Sequence, residues 1–520
     1  MSAPVSATLD GCPPWIAASA DATVSRPHRA SACLPDHRPA PVDAGPCLER
    51  RSLRRGACQA VGRVHWAQAL RAAAAVLATG SVAVPAGAAT YYVSPAGSDE
   101  AAGTISAPFR TLDRLQRVAL RPGDVVLLQS GATFTGSLQL DRAGTPAAPI
   151  SVTSSRPARA IVDGRLAGRT LVDVEAAHVR VSHLDLRRAA HAPGRASDQA
   201  AIYLGRSTDV TLTDLAISGA VSAIFNGSQV ASDVRISRVT ATGLPAVPGS
   251  AVQIGNPGST GWSVTDSTLA GFGDSCVIDV AGRSRFSRLT VRHCGYARLP
   301  YGTHGLYLKG PGAVLEDSRV SDVRPGAGSC VSPRNGAALR RNVLWSCSVG
   351  VGFFDDARGG GSQTLELTSN TIRATAISAI YVDTVGLSPD TVAPHRLVVA
   401  LRGNRIDATS AAGGAISANG IAIRAPARGS TIAVQSARNT VTGRIRRDEA
   451  LLAVFYNVAR WPRGSTYRGA GNRYRDRSRG RATTFLVPGI RYPYGFRDLT
   501  TALRRVHTPL AGRELGSRIG

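Results

Sequence analysis

From about residue 165 the chain repeats a short pattern: a small residue, an aliphatic, a variable position and a second aliphatic, then a turn. It reads AIYLG at 201, AIFNG at 223, AVQIG at 251, CVIDV at 276 and GLYLKG at 305. It continues as CVSPRNG at 330, VGFFDD at 351, AIYVD at 379 and GIAIR at 420, with most intervals 21 to 28 residues. A second element falls between these copies, as VTLTDLAIS, VRISRVTAT, AVLEDSRVS and LELTSNTIR. Alternation with period two marks strands, and a fixed repeat of this length marks a solenoid. One turn cannot bury its aliphatics alone, so stacked turns must share a core. The spacing predicts an all-β parallel β-helix. Asn342, Asn370, Asn404 and Asn439 fall near one place in the second element, which predicts a column of asparagines at a bend. The leucine and asparagine spacing of leucine-rich repeats is absent.

The flanks divide the rest. Residues 1–89 read as a leader outside the fold. Within it, about 60–89 read as a secretory signal: the basic flank ERRSLRRGACQAVGR at 49–63 leads into the apolar run ALRAAAAVLATGSVAVP and the small residues AGAAT. Export implies a secreted or periplasmic protein with no membrane span once the signal is removed. Residues 90–165 read as an N-terminal cap with first coils, holding a short helix from about Phe109 to Ala119. Residues 166–445 are the β-helix, and the Arg-rich stretch 446–520 is an irregular C-terminal cap. The segment TYYVSPAGSDEAAGTISAPFRTLDRLQRVALRPGDVVLL resembles the start of proteins of the pectate-lyase-like superfamily. In these, a Tyr-Val-Ser-Pro strand, a Gly-Ser-Asp loop and a Pro-Gly-Asp turn precede the coils. That resemblance implies a right-handed parallel β-helix and leaves the reaction open.

The chain carries 61 lysines and arginines, a net charge of +26, and a single lysine, Lys309. Arginine almost never gives up its proton, whereas lysine does so when crowded or buried. In GLYLKG, Leu306 and Leu308 point inward, so Tyr307 and Lys309 point outward on one face. One turn on, Ser332 and Arg334 take those places, followed by Phe353 and Asp355, then Tyr381 and Asp383. His304 flanks the strand, and Asp279 lies near the face one turn earlier. A neighbouring cation is expected to depress the lysine's pKa and make it a base. Arginine can hold a carboxylate with two hydrogen bonds. The pair suits β-elimination on a uronate polymer, with Lys309 as base, Arg334 as neutraliser, and Tyr307 or His304 as proton donor. Asp355, Asp383 and Tyr381 are then expected to bind substrate.

LYLKGPGAVLEDS followed by GSCVSPRNGAALRRN resembles the chondroitinase B and alginate lyase family, in which a catalytic lysine on one coil precedes a catalytic arginine on the next. HGLY followed by SPR also resembles β-helix proteins of unassigned activity. The family resemblance implies calcium held by acids just before the lysine. Here those positions read YGTHG, without the usual acidic ligands, so no metal ligands are assigned, no cofactor is certain, and calcium stays an open alternative. The other readings are a glycoside hydrolase using Asp355, Asp356 or Asp383, and a non-catalytic carbohydrate-binding solenoid. The partner expected is an acidic polysaccharide, bound by a monomer. Export and the lack of interleaved stacking aromatics argue against nucleic acid. Four cysteines lie beyond the leader. Cys276 with Cys294, and Cys330 with Cys347, are placed to bridge adjacent turns and bracket Lys309, or all four are small buried fillers.

Overall fold

In each coil, alternating aliphatics turn one side of three short strands inward, and the residues between strands turn the corners. The computed structural model describes residues 87–165, 170–189, 200–326, 328–355, 361–384, 395–408, 419–444, 450–456 and 458–477. Near the C-terminus it describes 483–486, 488, 514–515 and 517–519. Most of the leader read over 1–89 therefore lies outside the described residues. Every strand pairing among the described residues is parallel, and successive coils add one strand to each of three stacks. The first sheet includes Ala177–Ser182 and Ser207–Thr213. The second includes Thr290–Cys294 and Arg319–Val323, and the third Val277–Asp279, Leu306–Leu308 and Ser329–Pro333. Two longer strands, Val343–Phe354 and Thr371–Asp383, run through the corner between the second and third sheets. The chain is a parallel β-helix whose core is one continuous cluster of buried Val, Leu, Ile and Phe side chains. Among the described residues no helix is long and apolar enough to cross a membrane.

The N-terminal helix is shorter than the expected Phe109–Ala119. It is a single turn, Leu112–Leu115, capped by the Thr111 hydroxyl, which accepts from the Arg114 N–H. Asp99 accepts from the N–H groups of Arg110 and Thr111 and from the Thr111 hydroxyl, which holds the residues before the helix in a turn. After Gln116 the bonds tighten to three-residue spacing, at Arg117 to Arg114 and Val118 to Leu115.

Between the first and second sheets each coil bends at a single residue. Arg288, Asp317, Arg341, Ser369 and Arg438 hold positive φ there, and Gly403 fills the same place on the coil between Ser369 and Arg438. The residue that follows points inward and forms a ladder. Asn342 donates from its backbone N–H and its side-chain amide to Asn370 Oδ1, at 2.9 and 3.0 Å. Asn370 does the same to Asn404, Asn404 to Asn439, and Asn439 to Asn472. Each amide also donates to a carbonyl of the preceding coil, such as Asn404 to Leu367. All five are buried, so the ladder satisfies backbone groups that water cannot reach. Toward the N-terminus Ser318 takes the next place and its hydroxyl accepts from the Leu289 N–H; Leu289 interrupts the polar column, and Ser267 resumes it by accepting from the Val239 N–H.

The expected end of the coils at 445 falls inside them. Ala450–Val454, Thr466–Ala470, Arg473–Asp476 and Thr483–Leu486 extend all three stacks. Tyr467, Tyr474 and Phe485 are buried at alternate positions there, while arginines take the outer face. An inward aromatic beside an outward arginine is strand patterning, which the high charge of this stretch obscures.

Candidate functional site

The outer face of the third sheet carries two columns of side chains, and register places each one. Tyr307 pairs with Ser332, Gly352 with Tyr381, and Tyr381 with Ala422. Val331 pairs with Val351, which aligns Ser332 with Gly352. Two residues further along each strand, the second column runs Lys309, Arg334, Phe354, Asp383 and Arg424. Coils stack about 4.8 Å apart. The first column therefore offers Tyr307 and Tyr381 on either side of a two-coil dip, floored by buried Ser332 and by Gly352. A Cβ on Gly352 would meet Ser329 Oγ at 2.4 Å and the Phe354 ring at 2.9 Å, so this position stays bare.

The Arg334 side chain folds into that dip. Its guanidinium carbon lies 4.9 Å from the centroid of the Tyr307 ring and 4.9 Å from that of Phe354, with the residue 2% exposed. A guanidinium between two ring faces gains cation–π attraction and is fixed in orientation. Lys309, on the preceding coil, is half-buried. Its backbone is clamped on both sides, since its N–H donates to the Asp279 carbonyl at 2.7 Å and its own carbonyl accepts from Asn335 Nδ2 at 2.7 Å. His304 stacks on Tyr307 with centroids 5.3 Å apart. Its Nδ1 accepts from the Ser329 N–H at 3.0 Å, so the ring proton sits on Nε2. Burial, and then the charge of Arg334, hold the imidazole well below its ordinary pKa, so it is neutral.

Toward the C-terminus the strip closes on a polar cluster. Tyr381 tilts against Phe354 at 5.6 Å and donates to Asp383 Oδ2 at 3.3 Å. Arg424 reaches the same oxygen at 2.7 Å. Burial, reinforced by Tyr456 and Asp383, pushes the Tyr381 hydroxyl up. At Arg424 burial works against the charge, and Asp383 and Tyr381 more than offset it, which raises the pKa.

Two expected placements are corrected. Phe353 faces the core, fully buried and paired with Val382, so Phe354 takes the outer position and Asp355 falls one residue past it. Asp355 turns inside at the strand end, where it is ion-paired with His395, both side chains inaccessible to solvent. It lies off the outer face and cannot touch a substrate there. Asp279 shares the inward parity of Val277. It is fully buried, its Oδ1 accepts from the N–H groups of Ala281 and Gly282, and burial raises its pKa. The donors beside Lys309 therefore do not fit calcium, because no carboxylate among them reaches the outer face. Among the described residues no group of three His, Cys, Asp or Glu side chains is placed to hold a metal ion. Asp356 lies outside the described residues. Phe354, Arg424 and Tyr456 complete the strip without having been singled out from sequence. The V-G-V-G-F alternation at 349–353, with large residues inward, was the available signal for Phe354.

Disulfides join Cys276 to Cys294 and Cys330 to Cys347, each with Cα atoms 5.5 Å apart. Each links a third-sheet strand to the second-sheet strand of the next coil. The coils carrying Lys309 and Arg334 lie between the outer ends of these two bridges.

No family model matches the chain. Pectate lyase PEL9 of Emericella nidulans is 37% identical over 90 residues, which is 17% of this chain and 22% of that enzyme. The match thus spans about a fifth of that relative's length. Among solved structures, a rhamnogalacturonan lyase is 14% identical with a TM-score of 0.37, over 62% of this chain and 83% of that one. Pectate lyase Pel9A is 16% identical with a TM-score of 0.36, over 61% and 76%. An alginate lyase from Paenibacillus sp. is 15% identical with a TM-score of 0.36, over 61% and 95%. With its three parallel stacks and its inward asparagine ladder the chain has the parallel β-helix fold, and over those 90 residues its sequence is similar to that of a pectate lyase.

Proposed function

We propose that the third-sheet strip is the active site of an exported polysaccharide lyase that cleaves a uronate-containing polymer by β-elimination. The observation that carries this reading is the placement of Lys309 and Arg334 on adjacent coils of one face, with Arg334 fixed between the rings of Tyr307 and Phe354. Lys309 Nζ takes the proton from the carbon bearing the carboxylate. The fixed charge of Arg334 stabilises the enolate that develops there. The electron pair then forms a carbon–carbon double bond as the glycosidic C–O bond breaks, and the leaving oxygen takes a proton. The Tyr307 hydroxyl is the better donor for that step, because the buried His304 is neutral and already accepts a bond at Nδ1. His304 instead orients the Tyr307 ring by stacking. Asp383, Tyr381 and Arg424 form the polar end of the groove, where sugar hydroxyls bind.

The test is incubation of the full chain with a panel of uronate polymers while ultraviolet absorbance and new reducing ends are followed. Absorbance from an unsaturated uronate is expected, and Lys309→Arg should lower kcat/KM by about 10²-fold or more, the usual weight of a general base. Reducing ends without absorbance would mean hydrolysis. An unchanged Lys309→Arg variant would remove Lys309 from the mechanism.

A further inference from the structure

The second sheet carries a face of a different character. Its outer columns are set by register: Arg319, Val343, Thr371, Arg405, Thr440 and Arg473 in one, and Ser321, Trp345, Arg373, Asp407, Thr442 and Arg475 in the other. A hollow of about 420 Å³ lies between Arg319, Trp345 and Arg373. A second of about 230 Å³ runs on from Arg373 past Arg405 to Thr442. The two share Thr371 and Arg373, so they form one trough along the helix axis, crossing successive coils. Trp345 is half-buried with one face toward Arg373, whose guanidinium carbon is 5.9 Å from the ring centroid.

The arginines supply the charge of this face. Some others on the coils are neutralised in place, as in Arg288 with Asp266 and Arg340 with Glu366. Arg319, Arg405, Arg473 and Arg475 are exposed and, among the described residues, form no ion pair. The nearby carboxylate in the trough, Asp407, lies 3.9 Å from Arg477. Within a column the arginines stand two or three coils apart, roughly 10 to 14 Å at about 4.8 Å per coil. A polyanion laid across the coils can meet several of them at once.

We propose that this trough is a second binding site, separate from the third-sheet strip, for one strand of an anionic polysaccharide lying parallel to the helix axis. The arginines take its carboxylates or sulfates. Trp345 offers a stacking face for a sugar ring, and Thr371, Thr440, Thr442 and Asp407 suit sugar hydroxyls. Nucleic acid fits less well, because single strands need a succession of stacking aromatics and the trough has one. Asp407 would also oppose a continuous row of phosphates. The site holds the polymer without cleaving it, since it contains no lysine and no paired carboxylates.

The test is retention of the full chain on immobilised polygalacturonate, a sulfated glucan, a neutral glucan and duplex DNA, across a salt series. The wild type is compared with the triple variant Arg319→Ser, Arg405→Ser, Arg473→Ser, and with Trp345→Ala. Retention on at least one acidic polysaccharide is expected. The triple variant should weaken it about 10-fold or more and flatten its salt dependence, as expected when cationic contacts are removed. Trp345→Ala should weaken it several-fold, and the circular-dichroism melting curve should stay in place for both. The proposal is overturned by wild-type retention in the triple variant, by no retention on either acidic polysaccharide, or by tighter, equally Arg-dependent retention on DNA. Failure of the lyase reading would show instead as absent cleavage, with retention and its loss in the triple variant intact.

Discussion

At the corner between the first and second sheets, Arg288 meets Asp266 at 2.5 Å and Arg341 meets Asp317 at 2.7 Å, each reaching across one coil in contact with water. In the third-sheet strip, Arg334 is buried between two aromatic rings. The corner pairs form where charges are already solvated, so they are screened and contribute little. Burying a guanidinium costs far more, and an apolar side chain of similar volume commonly does as well or better for stability. The contrast teaches that arginine number locates nothing in a chain this basic. A charge held where stability alone does not call for it marks the site.

The sharpest way to break this comparison is Arg334→Leu. Turnover of the cleaved uronate polymer should fall by about 10²-fold or more, the scale of losing one fixed stabilising group. The thermal midpoint should stay level or rise. Retained activity would make Arg334 a packing residue like any other. A smaller effect should appear in pH. The lowered pKa of His304 keeps it neutral in the fold, while the unfolded chain takes up a proton below about pH 6.5. Its share of stability is therefore complete above that pH and is lost as pH falls toward the folded value, at up to about 1.4 kcal/mol per unit. Denaturant titrations between pH 5 and 7 should show this extra slope in the wild type and not in His304→Gln. The smallest effect belongs to the corner. Arg288→Ala should leave both the denaturant midpoint and turnover where they were, in low salt and high.

Much of the coil was legible because a shared core forces strict alternation. The inward aliphatics of GLYLKG and AIYVD set the outward directions of Tyr307 and Tyr381. The asparagines at 342, 370, 404 and 439 are readable as a ladder because an amide can donate and accept in the same direction at every step. Asn472 escaped because the arginines around it mask the inward tyrosines on either side. The column slipped at Phe353 because two adjacent phenylalanines give no parity of their own, and only the preceding V-G-V-G supplies it. The ring sandwich around Arg334 could not be read at all. It depends on Gly352 leaving the dip open, and nothing in a linear pattern says which side chain will fold into a space left by another coil.

The bridges at Cys276–Cys294 and Cys330–Cys347 have a consequence for how the stack can come apart. In a solenoid each coil is held by the coils above and below it, so opening can start at an end and travel inward one turn at a time. A covalent tie between neighbouring coils halts that travel, because the two must open together or not at all. The coils bearing Lys309 and Arg334 are thus insulated from fraying at both termini. Opening from either end must release two tied coils together before it parts the Lys309 coil from the Arg334 coil.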